Sequence, residues 1–73
     1  MESFFDYISI NSQVRFGKPC VKGTRIAVSD ILKWMASGMS VADITNDYPL
    51  NEYQIRAALA FSAQRDKSLP QIH

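Results

Sequence analysis

The densest group of side chains that could take part in chemistry lies at residues 16–26, FGKPCVKGTRI, which contain three cations and the only cysteine of the chain. Such a group could bind phosphate, hold a metal or provide a nucleophile. A P-loop is excluded, because its order of glycine, lysine and serine or threonine is absent. Structural zinc takes four ligands, whereas Cys20 and His73 are the chain's single cysteine and single histidine. The sequence therefore predicts no metal and no other cofactor.

The thiol of Cys20 is the strongest candidate nucleophile in this segment. A catalytic cysteine needs a base beside it or a pKa that its surroundings depress, and the sequence places no histidine near it. Paired carboxylates for acid–base catalysis are not evident either. We therefore predict that Cys20 fills a small apolar space, that no residue is catalytic, and that the protein is not an enzyme.

The three cations of the segment, Lys18, Lys22 and Arg25, remain available for phosphate groups or for an acidic protein surface. The 73-residue chain carries a net charge of +1, but its charges are unevenly placed. Residues 14–33 contain five bases and one acid, whereas residues 40–52 contain three acids and no base. This asymmetry predicts a partner that binds in one orientation.

Short β segments are predicted to carry these cations. The alternation of large and small side chains at 7–10 indicates a strand, and residues 14–16 are consistent with a second one. Residues 20–21 and 26–28 flank Gly23, and glycine tolerates the positive φ of a tight turn, which predicts a β-hairpin. Residues 1–28 are thus expected to form a β arm.

Helical periodicity follows the arm, over residues 29–66. The first helix is predicted to start at a cap formed by Ser29 and to end at Gly38. The second is short, starts with a capping box of Ser40 and Asp43, and stops before the proline at position 49. The sequence therefore predicts one mainly α domain over 1–73: a three-helix helix-turn-helix bundle at 29–66, with a short N-terminal β-hairpin extension and a tail at 67–73.

The third helix is predicted over 52–66, starting at Asn51 with Gln54, and is apolar on nearly every side. A chain of this size has little mass to bury the face opposite its expected core stripe of Ile55, Leu59 and Ser62. That face is therefore predicted to contact another chain, in a homodimer or with a different protein. With a tryptophan at the edge of the first helix's stripe, the predicted partner residues are Trp34, Tyr53, Ala57, Ala60 and Phe61.

DNA binding remains an alternative, because a helix-turn-helix protein reads bases through its last helix. In that case the three cations Lys18, Lys22 and Arg25 would contact phosphates, and Gln54 or Arg56 would lie near bases. The small and aromatic side chains on the outward face of the third helix are a poor set for reading base edges. A dimerisation module with no other partner is a further alternative.

No apolar run approaches the roughly 20 residues that cross a bilayer. The first eleven residues, MESFFDYISIN, carry acids where a secretory signal would carry bases. A cytoplasmic protein without membrane contact is therefore expected.

Residues 17–63 closely resemble the family known as domain of unknown function 433. The resemblance rests on GKP followed by KGTRI, the SGMS turn, a short helix ending in YP, and IRAAL in the last helix. It implies a homeodomain-like three-helix domain and a bacterial antitoxin of the VapB type, often dimeric, which binds a PIN-like ribonuclease toxin and often represses its own operator DNA. It carries over the motif residues Gly17, Lys18, Pro19, Lys22, Gly23, Thr24, Arg25 and Ile26 without assigning their role.

Overall fold

The computed structural model describes the backbone of residues 4–67 and the side chains of residues 4–64. Three helices form most of it: α1 at Val28–Ala36, α2 at Val41–Asp47 and α3 at Glu52–Lys67. Two short strands precede them, β1 at Ile8–Ser9 and β2 at Cys20–Val21, and a short 3-10 turn lies at Phe4–Asp6. This confirms the mainly α fold with a small β element near the N-terminus. The tail predicted at 67–73 falls outside the described residues, except for Lys67, which ends α3.

The two strands are antiparallel, with Ile8 opposite Val21 and Ser9 opposite Cys20. The hairpin predicted around Gly23 is reduced to one bridge between Cys20 and Ala27, because β2 pairs mainly with β1. The strand expected at 14–16 is wrong, since Arg15–Gly17 form a tight turn with positive φ at all three residues.

Local capping explains where α2 begins. The backbone N–H of Asp43 donates to Ser40 Oγ at 3.1 Å, and the N–H of Ser40 donates to the Asp43 carboxylate at 2.9 Å. This reciprocal pair satisfies two donors that a helix N-terminus leaves without intrahelical partners. The predicted capping box is confirmed.

A second reciprocal pair explains where α3 begins. The N–H of Gln54 donates to Asn51 Oδ1 at 2.9 Å, and the N–H of Asn51 donates to Gln54 Oε1 at 2.7 Å. The start of this helix, predicted from the same two residues, is confirmed.

The start of α1 differs from the prediction by two residues. Ala27, rather than Ser29, is its N-cap, and Ser29 lies inside the first turn. The capping group is the Asp30 carboxylate, which accepts the N–H of Ala27 at 3.0 Å. An acid three residues after the cap can reach back in this way, so the helix begins without a hydroxyl cap.

The core is built by the helices and the N-terminal segment together. Its fully buried side chains include Ile31, Ile44 and Ile55 from the helices and Val21 from β2. The N-terminal 3-10 turn and β1 both pack on α3. The β segments are therefore part of the core rather than an arm. No helix within residues 4–67 is both long and apolar enough to cross a membrane.

This packing corrects the predicted face of α3. Leu59 and Ser62, expected in the core stripe with Ile55, are only half-buried, whereas Ala58 is completely buried. Ala57 and Phe61, expected on the open face, are 6 % and 7 % exposed. The buried side of α3 is wider than predicted because the N-terminal segment covers it.

Candidate functional site

The three predicted phosphate-binding cations are all exposed. Lys18 follows the turn at Arg15–Gly17, while Lys22 and Arg25 lie between β2 and Ala27. Within the described part of the chain, none of the three forms an ion pair. Their charges are therefore available to an external anion.

The turn at Arg15–Gly17 is left-handed, with φ of 50° at Arg15, 59° at Phe16 and 80° at Gly17. Non-glycine residues rarely adopt this region, because the side chain meets the backbone. Two hydrogen bonds close the turn, from the N–H of Gly17 to Val14 O at 3.1 Å and from the N–H of Lys18 to Arg15 O at 3.1 Å. Phe16 lies at the tip of this turn and is 99 % exposed.

The Arg15 side chain ties this turn to the rest of the domain. Its Nη1 donates to the carbonyl of Arg25 at 2.8 Å and to the Asp30 carboxylate at 3.0 Å. Because Asp30 also caps α1, one guanidinium connects the left-handed turn, the residues after β2 and the start of a helix. These contacts connect the turn that carries Phe16 to the loop that contains Lys22 and Arg25.

The pKa of Asp30 lies below its ordinary value. Partial burial by itself raises this pKa, but the hydrogen bond from the Ala27 N–H and the hydrogen bond and charge of Arg15 lower it more. The charge of Lys33 acts in the same direction. Asp30 is thus held in its charged form, which is the form that binds Arg15.

An open depression of about 340 Å³ lies between the loop after β1 and the loop after β2. Polar groups form much of its lining, which consists of Ser9, Asn11, Val14, Gly23, Thr24 and Arg25. The Thr24 hydroxyl is used internally, since it donates to Val21 O and accepts the N–H of Ile26. Asn11 uses its Oδ1 to accept the N–H of Gln13 at 2.8 Å.

The two residues predicted to lie near bases both have partners inside the chain. Gln54 Oε1 accepts the Asn51 N–H in the α3 cap, as described above. Arg56 Nη2 lies 3.8 Å from Glu52 Oε2 one turn earlier, although both side chains are largely exposed. Both residues belong to α3, and in the sequence they are far from the three cations.

The five predicted partner residues do not form one surface. Tyr53 is 57 % exposed and Ala60 is exposed, and both lie on the outer face of α3. Ala57 and Phe61 are buried, and the ring of Phe4 packs edge-on against that of Phe61 with a centroid distance of 5.5 Å. The expectation that these two residues face outward is wrong.

Trp34 lies at the edge of the core and is half-buried, in agreement with its predicted place on α1. Its ring stacks on Tyr48 at the end of α2, with a centroid distance of 3.9 Å and an interplanar angle of 11°. Part of its apolar surface is thus covered within the chain. Sequence spacing could not reveal this pair, because the two rings come from different helices.

Reactive groups are few in the described region. Residues 4–67 contain no group of three or more histidine, cysteine or acidic residues that could hold a metal. The Cys20 thiol is not in a disulfide and is buried in β2. The exposed features that include predicted site residues are the left-handed turn with its neighbouring cations and the outer face of α3, while Phe5 and Ile10 are exposed near the N-terminus.

A model of the family described as protein of unknown function DUF433 matches residues 8–62. The match includes both strands, the left-handed turn, α1, α2 and most of α3. Neither a curated protein nor a solved structure shows significant similarity to the chain.

Proposed function

Because the chain belongs to the DUF433 family, we propose that it is an interaction protein of the antitoxin type, which binds and neutralises a PIN-like ribonuclease toxin. The family assignment leaves the activity open, so the proposal rests on the surface of the chain and on the VapB-type antitoxin role that the motif resemblance implies. An antitoxin of this kind needs no catalytic group, because covering the substrate cleft of a nuclease is enough to inhibit it.

The observation that supports this proposal is the composition of the outer face of α3. This face carries Tyr53, Arg56, Ala60 and Gln64, all exposed. A solvated helix usually presents charged residues on its outer side, whereas the only charges on this face among the described side chains are Arg56 and Glu52, which pair with each other. A large ring beside an alanine suits docking, since the ring enters a pocket and the small residue lets the partner approach.

The test is co-expression with the product of the adjacent gene, which the proposal identifies as the toxin. The wild-type protein should retain the toxin and restore the growth of cells that express it. Ala60→Arg should weaken binding by at least about tenfold, a loss of roughly 1.4 kcal/mol, because a long cation would occupy the space for the partner. Ala36→Arg is the matched control, since Ala36 is an exposed alanine at the end of α1, and it should bind normally.

Two results would count against the proposal. In one, the adjacent product is neither toxic alone nor retained by the wild-type protein. In the other, Ala60→Arg and Ala36→Arg bind the toxin equally well. The homodimer predicted from the sequence belongs to the same proposal, and sedimentation at low protein concentration measures it.

A DNA-binding regulator is the second candidate, and the three exposed cations Lys18, Lys22 and Arg25 favour it. The exposed acids on α2 and at the start of α3, Asp47 and Glu52 among them, oppose it. In a helix-turn-helix complex these elements approach the phosphate backbone, where acids repel. This candidate therefore ranks below protein binding.

Titrating the DNA duplex that lies upstream of the gene with the protein, at several salt concentrations, tests this second candidate. Three phosphate contacts per chain give a slope of about −2.7 in log affinity against log salt, and Lys22→Ala should reduce its magnitude by about 0.9. Lys33→Ala, an exposed lysine on α1, should leave the slope unchanged. Affinity that is insensitive to salt would exclude this contact scheme.

A further inference from the structure

We propose that the left-handed turn at Arg15–Gly17 and the loop after β2 form a binding site for single-stranded nucleic acid. In this site the Phe16 ring stacks on a base, and Lys18 and Arg25 contact the neighbouring phosphates. The site is separate from the outer face of α3 and from base reading in a duplex. It does not depend on the antitoxin proposal.

The backbone at Phe16 is the first argument. Positive φ at two consecutive non-glycine residues, Arg15 and Phe16, is unfavourable by itself. The fold nevertheless maintains it with two turn hydrogen bonds and with the Arg15 contacts to Arg25 and Asp30. The result is a ring that is 99 % exposed on a fixed turn. An aromatic ring held in water in this way is a platform on which a flat ligand can stack.

The charges around the ring are the second argument. Lys18 is two residues after Phe16. Arg15, the residue before Phe16, donates a hydrogen bond from its side chain to the backbone carbonyl of Arg25. Lys22 lies in the same loop as Arg25, and all three cations are exposed without an ion pair in the described part. A base on the ring would therefore have cations close to the phosphates on either side of it.

The open depression beside Arg25 is the third argument. Its 340 Å³ volume is at the lower end for ligand pockets. Arg25 belongs both to this depression and to the Arg15 contact, so the depression adjoins the turn. Within residues 4–64 the amide nitrogen of the Asn11 side chain has no hydrogen-bond partner, and a Cβ built on Gly23 would meet nothing within 4 Å. The depression can therefore accept the edge of a second base.

Single strands fit this surface better than a duplex or an acidic protein does. In a duplex the base faces are already stacked, so the Phe16 ring has no face to contact. A protein hot spot normally lies at the centre of a ring of contacts that exclude water, whereas Phe16 is at the tip of an exposed turn and is followed by the exposed Lys18. One aromatic ring among unpaired cations matches the combination that binds exposed bases and phosphates.

Fluorescence anisotropy with labelled (dT)12, (rU)12, a 12-base-pair duplex and a (Glu)12 peptide tests the site on the full chain. Both single strands should bind more tightly than the duplex and the peptide, and a preference between the two would report contacts to the sugar. Phe16→Asn should weaken single-strand binding by about 5- to 150-fold, the equivalent of one stacked base at roughly 1–3 kcal/mol. Asparagine is chosen because it tolerates positive φ, so the turn is kept while the ring is lost.

Four further variants make the result specific. Phe16→Tyr keeps a ring and should restore most of the binding that Phe16→Asn loses. Tyr53→Ala, which removes an exposed ring from α3, should bind like wild type. Lys18→Ala should reduce the salt slope for single strands by about 0.7. Ala60→Arg adds a cation on α3, away from this site, and should keep the preference for single strands over the duplex, so failure of this site and failure of the antitoxin proposal are distinguishable.

Equal single-strand binding by the wild type and by Phe16→Asn, with both proteins folded by circular dichroism, would overturn the proposal. So would duplex or (Glu)12 binding as tight as that of the single strands, because the cations alone would then account for the affinity. Absence of binding to either single strand at low salt would overturn it as well.

Discussion

Replacing Phe61 with alanine is expected to lower the free energy of unfolding by about 3–5 kcal/mol, the usual cost of removing a buried phenylalanine. The ring is 7 % exposed, belongs to the core cluster and packs edge-on against Phe4. Its loss leaves a cavity between α3 and the N-terminal segment. In a domain of this size such a loss is a large part of the total stability. Urea unfolding followed by circular dichroism measures it.

Tyr53→Ala is the control on the same helix, because its side chain is 57 % exposed. A surface change of this kind should alter stability by no more than about 0.5 kcal/mol. If Phe61→Ala were as stable as wild type but shifted an oligomer to single chains in sedimentation, the ring would lie in an interface. That outcome would contradict the packing described above.

Replacing Asp30 with alanine is expected to lower the free energy of unfolding by about 1–3 kcal/mol at neutral pH, since hydrogen bonds to a charged group contribute amounts of this size. The carboxylate accepts from the Ala27 N–H and from Arg15 Nη1, both at 3.0 Å. Removing it uncaps α1 and frees Arg15 from the helix. Urea unfolding at pH 7 gives the magnitude.

The contribution of Asp30 should also depend on pH. Its pKa is lowered in the folded chain despite partial burial, because of the Ala27 N–H and Arg15. Its charged form therefore stabilises the fold fully above the unfolded-state pKa of about 3.9, and this stabilisation is lost as the pH falls through the lower folded pKa. The difference between wild type and Asp30→Ala should accordingly shrink in acid.

Asp47→Ala is the matched control, because Asp47 is exposed and lies at the end of α2. It should change stability by no more than about 0.5 kcal/mol at neutral pH. A stability difference between wild type and Asp30→Ala that stayed constant from pH 7 to pH 2 would show that the charge of Asp30 does not contribute.

The helix boundaries that depend on local chemistry could be predicted from the sequence. Ser40 with Asp43 and Asn51 with Gln54 form caps through side chains three residues apart, so the pattern contains all the information needed. The start of α1 could not be predicted in this way: Ser29 is a common cap residue, but the capping carboxylate belongs to Asp30, three residues after the N-cap Ala27. Arg15, which binds the Asp30 carboxylate, lies 15 residues away and gives no local signal.

The face of α3 could not be predicted for a similar reason. Its periodicity allows several orientations, because Ala57, Ala58 and Phe61 are as apolar as Ile55 and Leu59. The choice is made by the N-terminal segment, which packs on one side of the helix. Position 61 therefore changes from a predicted interface residue to a core residue.

The candidate site was predicted only in part. The three cations were identified from their types and spacing, and they are exposed. Phe16 was not identified, because an isolated phenylalanine in VRFG resembles a strand residue. Gly17, which tolerates positive φ, is the one local signal for the turn, but it does not reveal that the two preceding residues share that conformation.

The contact between Phe4 and Phe61 joins nearly opposite ends of the described chain. Chain closure over such a separation has an entropic cost that must be met before the contact stabilises anything. During synthesis on a ribosome, the binding place for Phe4 does not exist until α3 has emerged. Folding of the nascent chain should therefore be completed only after α3 has left the ribosome, rather than helix by helix.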